Sequence, residues 1–362
     1  MKKYFLFFLI IVSVKLNSQS LTAYTDQRGY FTVFDNGNTS TLEFNLPKSF
    51  QVGGNCIAYQ DFNSNFKVYY NGETITLYEG AVNSYKVTHN LLLYVIAGQL
   101  RVFDRGKTKV ISVYPGDYYE GDSLVAFIDY SYKALCVYYK GEIIPVENNI
   151  ATNPLLGFQA SNNTLAYINN QREFKVFWNG VTEKIFTLSP SSDVNYQTGS
   201  NIVAFIANAS LSLSVFYKGS TYNVSSLPVK SYKAADDMVA YEDQNGLHAF
   251  YAGKNYDLCS AASYNYDISD SVLIYYTPGY FRVFNKGKIT VLDNYMPDEY
   301  ALDNNTVVWA NQQGGLEAFY NGETYDLTNF DRAAFKLEGN TLWFKSQTSA
   351  NKIFLCGKTF SY

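Results

Sequence analysis

Histidine is nearly missing from this chain: 362 residues contain only two, His89 and His248. Neither has a cysteine or aspartate at metal-ligand spacing, and no Gly-x-Ser-x-Gly elbow presents a serine nucleophile. The expectation is a protein with no metal, no cofactor and no catalytic constellation. Long apolar runs are also missing after the first twenty residues, so no later segment supplies the roughly 20 apolar residues of a membrane-spanning helix. Apolar residues nowhere recur at i, i+3, i+4, i+7, which excludes amphipathic helices.

Basic charge is scarce too. The chain has 28 Lys and Arg against 32 Asp and Glu. The first twenty residues, "MKKYFLFFLIIVSVKLNSQS", hold three of the lysines (Lys2, Lys3, Lys15) and no acid. Without them the balance is 28 − 3 = 25 basic to 32 acidic, a net charge of −7. That argues against nucleic acid and anionic lipid as partners. The basic start, apolar run and small polar residues of this segment read as a secretory signal peptide over residues 1–18, which leaves 19–362 as the mature domain. Cysteines number four (Cys56, Cys136, Cys259, Cys356), and none stands at the cleavage point, so no lipid anchor is expected.

What the chain has in quantity is aromatic residues, 17% of the total, and they keep register. "FKVYYNGET" at 66–74 returns as "EAFYNGET" at 317–324. Aligned on the turn glycine, the phrase recurs at Gly37, Gly72, Gly106, Gly141, Gly180, Gly219, Gly253, Gly287, Gly322 and Gly357, every 34 to 39 residues. Three residues before each glycine stands Phe or Tyr, from Phe34 to Phe354. About ten residues further upstream a second run ends in an aromatic, as in "CIAY", "LVAF" and "TVVW". A third series includes Phe50, Tyr85, Tyr119, Phe158, Tyr196 and Tyr300. The cysteines fall at four different positions of the repeat, which favours free thiols over a disulfide framework.

Short runs rich in Val, Ile, Tyr and Phe, separated by Gly, Asn, Asp and Ser, are strands. Asn-Gly between them predicts a type I′ hairpin, whose two central residues need positive φ. One unit is therefore an antiparallel meander of about four strands. Both its faces are apolar, so it must be sandwiched between copies of itself. The expected fold is all-β: a propeller of ten meander repeats of about 35 residues in one large ring, with two five-bladed lobes meeting near residues 150–200 as the alternative. Unit one has no leading strand in this pattern and unit ten stops just after its turn. The ring is expected either to close imperfectly or to leave an edge open to strand addition by a partner.

At these positions the residues resemble the β-propeller repeat family, with its "Val-Ala-Tyr-x-Asp … Lys-Val-Tyr-x-x-Gly" style of blade. The resemblance covers residues 21–362 and implies the fold without implying a function. The sialidase Asp-box, the Gly-His…Trp-Asp pair and the calcium loop of alternating Asp are missing. In size, export pattern and repeat type the chain is also similar to the plug subunit of the type IX protein-secretion translocon. That likeness implies a periplasmic accessory of an outer-membrane β-barrel secretion channel and transfers no functional residue.

Two sets of residues remain as candidates for function. Asp61, Asp129, Asp243 and Glu242 follow the second-strand aromatics; a pair of them would suit a glycosidase couple, while turn initiation is the simpler role. His89 is expected in a turn between units, and His248 takes a strand position that is Lys or Arg in several others. Two residues before the turn glycine stand Tyr70, Tyr139, Trp178, Tyr217, Tyr251 and Tyr320, where other units carry Asp35, Asp104, Asn285 or Leu355. Tolerance of polar residues predicts partial exposure there. A band of Tyr and Trp suits protein recognition or stacking on sugar rings, and the alternative is cladding of the blade edge. The expected function is a non-enzymatic exported scaffold that binds a protein partner; the second reading is a lectin-like glycan binder.

Overall fold

The computed structural model describes residues 21–361 apart from 151–153, 208–210, 261–264, 331–332 and 346–350. Among the described residues there is no helix. Strands assemble into ten separate antiparallel sheets, nine of four strands and one of three. Blade 1 holds β1 (Leu21–Thr25), β2 (Phe31–Asp35) and β3 (Asn38–Glu43); blade 2 holds β4 (Ser49–Val52), β5 (Cys56–Gln60), β6 (Phe66–Tyr70) and β7 (Glu73–Tyr78). Blades 3 to 10 repeat the pattern of blade 2.

The repeated phrase builds the hairpin between third and fourth strands. Asn71 and Gly72 have φ of 51° and 86°, as a type I′ turn demands. The same pair of positive angles recurs where the first residue is not Asn, at Arg105–Gly106 and Ala252–Gly253. The fourth strand of blade 10, Lys358–Ser361, is present. The few residues just after the turn of unit ten therefore suffice for a fourth strand, and the blade has four strands like blades 2 to 9. Four residues beyond a tight turn are enough to pair, as Leu355↔Lys358 and Ile353↔Phe360 show.

Burial follows the period-2 alternation of strands. In each second strand the first and third residues face the next blade, and the second and fourth face the one before. Leu21 and Ala23 of β1 thus pack with Ile57 and Tyr59 of β5. The arrangement repeats around the molecule, with a separate apolar cluster at each of the ten seams, between blades 1 and 2 through to blades 10 and 1. One ring results, rather than two lobes. It closes where Phe34 of blade 1 meets Phe360 of blade 10, with ring centroids 4.6 Å apart. This closing seam is the thinnest: Phe34, Ile353 and Leu355 are its only fully buried members among the described residues.

The aromatics three residues before each turn glycine are all buried, and so are those that end the second strands. The third series is mixed. Tyr232, which also belongs to it, is buried in the seam between blades 6 and 7. Tyr85, Phe158 and Tyr196 are half-buried against their seams, and Phe50, Tyr119 and Tyr300 are exposed. The reason is geometric. Their strands are the innermost of each blade, and ten blades leave an axial cavity wide enough that the first strands are wetted on one side.

Candidate interaction faces

An antiparallel meander places two kinds of turn at one end of each blade: those joining first to second strands, near the axis, and those joining third to fourth. The inner turns are stitched together around the axis. The Asn55 side chain donates to the Asn90 carbonyl at 3.2 Å, and the Asn163 side chain to Asn201 Oδ1 at 2.9 Å. Asn201 donates to Asp237 Oδ1 at 2.6 Å, and Asn305 to Asp270 Oδ2 at 3.2 Å. Every one of these bonds joins one blade to another. Gly53, Gly121 and Gly199 belong to the same turns, and a Cβ there would lie 2.2, 2.5 and 1.7 Å from the carbonyl oxygens of Thr88, Ser161 and Ala235 in the following blade. Glycine is required by close backbone approach, since a real Cβ cannot come that near.

Sequence reasoning missed this girdle. Its signal was available: a polar residue, usually Asn, just before the second strand, as in "GGNCIAY", "GSNIVAF" and "DNNTVVW". Glu120, Asp122, Asp236, Asp270, Asp303 and Glu338 of these turns line one mouth of the axial cavity, whose volume is about 800 Å³. Burial, reinforced by Asp236, Asp122 and Asp303, pushes the Asp270 carboxyl up to about 7. Burial also raises Asp236, although Ser200 and Asn162 donate to it.

The six Tyr and Trp positions lie at this same end, on the seams. All six are half-buried. Tyr70 meets Phe103 of the next blade edge-on at 5.4 Å, Tyr139 meets Phe177 at 5.7 Å, Tyr217 meets Phe250 at 5.8 Å and Tyr251 meets Phe284 at 6.3 Å. Trp178 donates its indole N–H to Asn201 Oδ1 at 3.2 Å, and Tyr320 packs on the seam between blades 9 and 10. Each therefore covers the edge of an interblade seam while showing part of its ring to solvent. They are spread around the ring and do not converge on one pocket.

The opposite end, formed by turns between second and third strands and by the links between blades, is different. Phe44 (74% exposed), Phe62, Tyr114, Tyr130 and Tyr132 (70%) all stand out there on blades 1, 2 and 4. Tyr130 donates its backbone N–H to the Tyr114 carbonyl at 3.1 Å, which brings two of these rings to one loop cluster. The strand periodicity never reached them, because "DFNSNF" and "DYSYK" are turns with no repeat register.

The acids following the second-strand aromatics cap turns. Asp61 accepts the Asn65 amide at 2.8 Å, Asp129 the Ser131 amide at 2.7 Å and Asp243 the Asn245 amide at 2.7 Å. Glu242 pairs with Lys230 at 3.1 Å. His248 lies between two carboxylates, Asp243 at 3.1 Å from Nε2 and Asp257 at 2.8 Å from Nδ1. Ser225 Oγ donates to Asp243 at 3.2 Å and not to the imidazole, so no nucleophile–base pair is formed there. At the same repeat position of blade 2, Lys67 bridges Asp61 of its own blade at 2.9 Å and Glu43 of the blade before at 2.7 Å. His89 is not between units as expected. It lies in the inner turn of blade 3, its ring against Gly54 of blade 2, because that turn reaches sideways to the preceding blade.

Among the described residues no group of His, Cys, Asp or Glu is arranged to hold a metal ion, and no helix is long and apolar enough to cross a membrane. All four cysteines are free; Cys56 and Cys136 are buried, and burial pushes both thiols up to about 12. Ten radially stacked four-strand meanders, one of them short of a strand, define a β-propeller. A family model described as a 10-bladed beta propeller domain matches residues 15–360, and the chain belongs to that family. No curated protein matches it. Among solved structures it is similar to PorZ, an essential surface component of the type IX secretion system of Porphyromonas gingivalis, at 9% identity and a TM-score of 0.29, over 95% of this chain and 59% of that one. It is also similar to dipeptidyl peptidase 4 of the same organism (13%, TM-score 0.44, 80% of this chain and 63% of that one). A third is the CRINKLY WD40 ectodomain of the Arabidopsis thaliana receptor kinase ACR4 (9%, 0.32, 68% and 96%).

Proposed function

We propose that the protein is an exported, non-enzymatic scaffold that binds a protein partner through the end of the ring bearing Phe44, Phe62, Tyr114, Tyr130 and Tyr132. The observation that carries this reading is the exposure of these large rings at one end of blades 1, 2 and 4. A propeller has no folding reason to leave them in water, and aromatic anchors are what protein interfaces select. The signal-peptide character of residues 1–18 and the negative balance of the mature chain support a place in the periplasm. There it would serve as an accessory of an outer-membrane protein-secretion machine, in the manner of a plug subunit.

Affinity purification from native membranes followed by mass spectrometry tests the reading. Co-purification of an outer-membrane β-barrel is the expected result. Binding on a glycan array with no protein partner would replace it with the lectin reading.

A further inference from the structure

Among the described residues the last strand of each blade is its outer edge, on the perimeter of the ring. An exposed edge strand is a template for pairing unless its sequence blunts it. Two residues past the turn glycine stands Thr in seven of the ten blades, and two residues further on the side chain is polar in seven. Blade 3 adds Lys107 and Lys109 to this strand, and blade 4 places Pro145 in it. The residue between these two positions turns to the next blade. Tyr222 meets Phe250 there at 5.3 Å, Tyr256 meets Phe284 at 5.1 Å and Tyr325 meets Phe354 at 5.1 Å.

Blade 8 inverts the pattern. Its outer strand, Lys288–Asp293 (KITVLD), puts Ile289 and Val291 at the two positions that are mostly polar elsewhere, and Thr290 at the seam position. It alone holds a β-branched apolar residue at both. Ile289 is 43% exposed and Val291 48%. The same face continues onto the third strand, where the Arg282 guanidinium lies over the exposed Tyr280 ring at 4.8 Å. The backbone is set for pairing as well. Lys286 and Gly287 form the two-residue turn, so Asn285 and Lys288 close the hairpin and exchange backbone bonds with each other. Alternation then turns the N–H and C=O of Ile289 and Val291 outward.

We propose that this edge pairs with the same edge of a second copy of the chain, antiparallel about a two-fold axis at Thr290, so that two blades share one sheet. The strand is complementary to itself in that register. Ile289 comes opposite Val291 of the second copy, and each outward N–H finds an outward carbonyl. Leu292 is a bulge residue, since Arg282 pairs with Val291 and Phe281 with Asp293. Lys288 therefore comes opposite Asp293 of the second copy, which sets opposite charges at both ends of the pairing. The contact is smaller than the roughly 1,200 Å² of a standard stable interface, so the expected dimer is of micromolar affinity. It does not use the exposed rings of blades 1, 2 and 4, and it stands or falls apart from the partner-binding reading.

Sedimentation velocity on the protein without residues 1–18, from about 1 μM to about 1 mM, tests this. A dimer is expected to form across that range. Val291→Lys introduces a residue that blade 5 already carries at this position as Lys184. It should keep the melting temperature and weaken dimerisation by about tenfold or more. The register is read separately, in a background with all four cysteines replaced by Ala. Thr290→Cys should form a disulfide dimer under mild oxidation, because residues facing each other in a non-hydrogen-bonded pair have Cα atoms about 4.5 Å apart, within disulfide range. Lys109→Cys, the same repeat position in blade 3, should stay monomeric. A monomer throughout the concentration range overturns the proposal and leaves this edge to a different protein. A dimer that Val291→Lys leaves intact also overturns it, as does equal cross-linking of the two cysteine variants.

Discussion

The side chain of Asn162 donates to Asp236 Oδ1 at 2.9 Å, joining blade 5 to blade 7 across the turn of blade 6. The inner turns are thus close enough for residues two blades apart to touch, and carboxylates there feel one another. Asp270, in the turn of blade 8, shows the consequence. Burial, with Asp236, Asp122 and Asp303 nearby, raises its carboxyl to about 7.

A raised carboxyl makes stability fall as pH rises. Below about pH 4 Asp270 is protonated both folded and unfolded and contributes no cost. Between that range and about 7 the unfolded chain ionises while the folded one holds its proton, so stability is lost across this window and stays lower above it. Asp270→Asn should therefore stabilise the protein by on the order of 1–3 kcal/mol above pH 7 and by little below pH 4. Denaturant melts of both proteins at pH 4 and pH 8 check it; an equal difference at the two values would contradict the cause assigned.

Phe216 tests the packing register. It lies three residues before Gly219 and is 1% exposed, in the seam between blades 5 and 6 with Phe174, Val176 and Phe205. Phe216→Ala should cost about 3–5 kcal/mol of unfolding free energy, the usual range for a buried Phe. An unchanged unfolding free energy would contradict the seam.

Fold and site were not equally legible. The type I′ turns, the four-strand unit and the two buried aromatic series follow from spacing alone, because the same hairpin and the same seam are built ten times. The wetting of Phe50, Tyr119 and Tyr300 was not legible, since exposure on an axial strand depends on the width of the ring and not on the blade. Nor were Phe44, Phe62, Tyr130 and Tyr132, which sit in turns outside the period. The polar residue, usually Asn, before the second strands was visible, but its role emerges only once neighbouring turns are seen to meet.

The cysteines are expected to be dispensable. Cys136 fills a strand position usually held by Lys, Arg or Ser, and Cys356 sits in the turn at a φ of 51°. Replacing all four by Ala or Ser should leave the exported protein folded, with circular dichroism unchanged. A stoichiometric bridge in non-reducing mass mapping, whose loss prevents folding, would refute this.

The two sets of aromatics should behave oppositely. Tyr70, Trp178 and Tyr320 are half-buried on seams, where edge-on contacts such as Tyr70–Phe103 tie blade to blade. Changing all three to Ser should lower the melting temperature, since an aromatic pair contributes about 0.5–1.5 kcal/mol beyond its buried area, and leave partner binding intact in the folded fraction. Phe62, Tyr130 and Tyr132 stand in solvent and contribute little to folding. Changing them to Ser should keep the melting temperature and weaken partner capture, by about 2 kcal/mol or more if one of them is an interface anchor. Both quantities are measured on both triple variants. The reverse pattern, with binding lost only in the Tyr70/Trp178/Tyr320 variant at an unchanged melting temperature, would move the partner to the turn end of the ring.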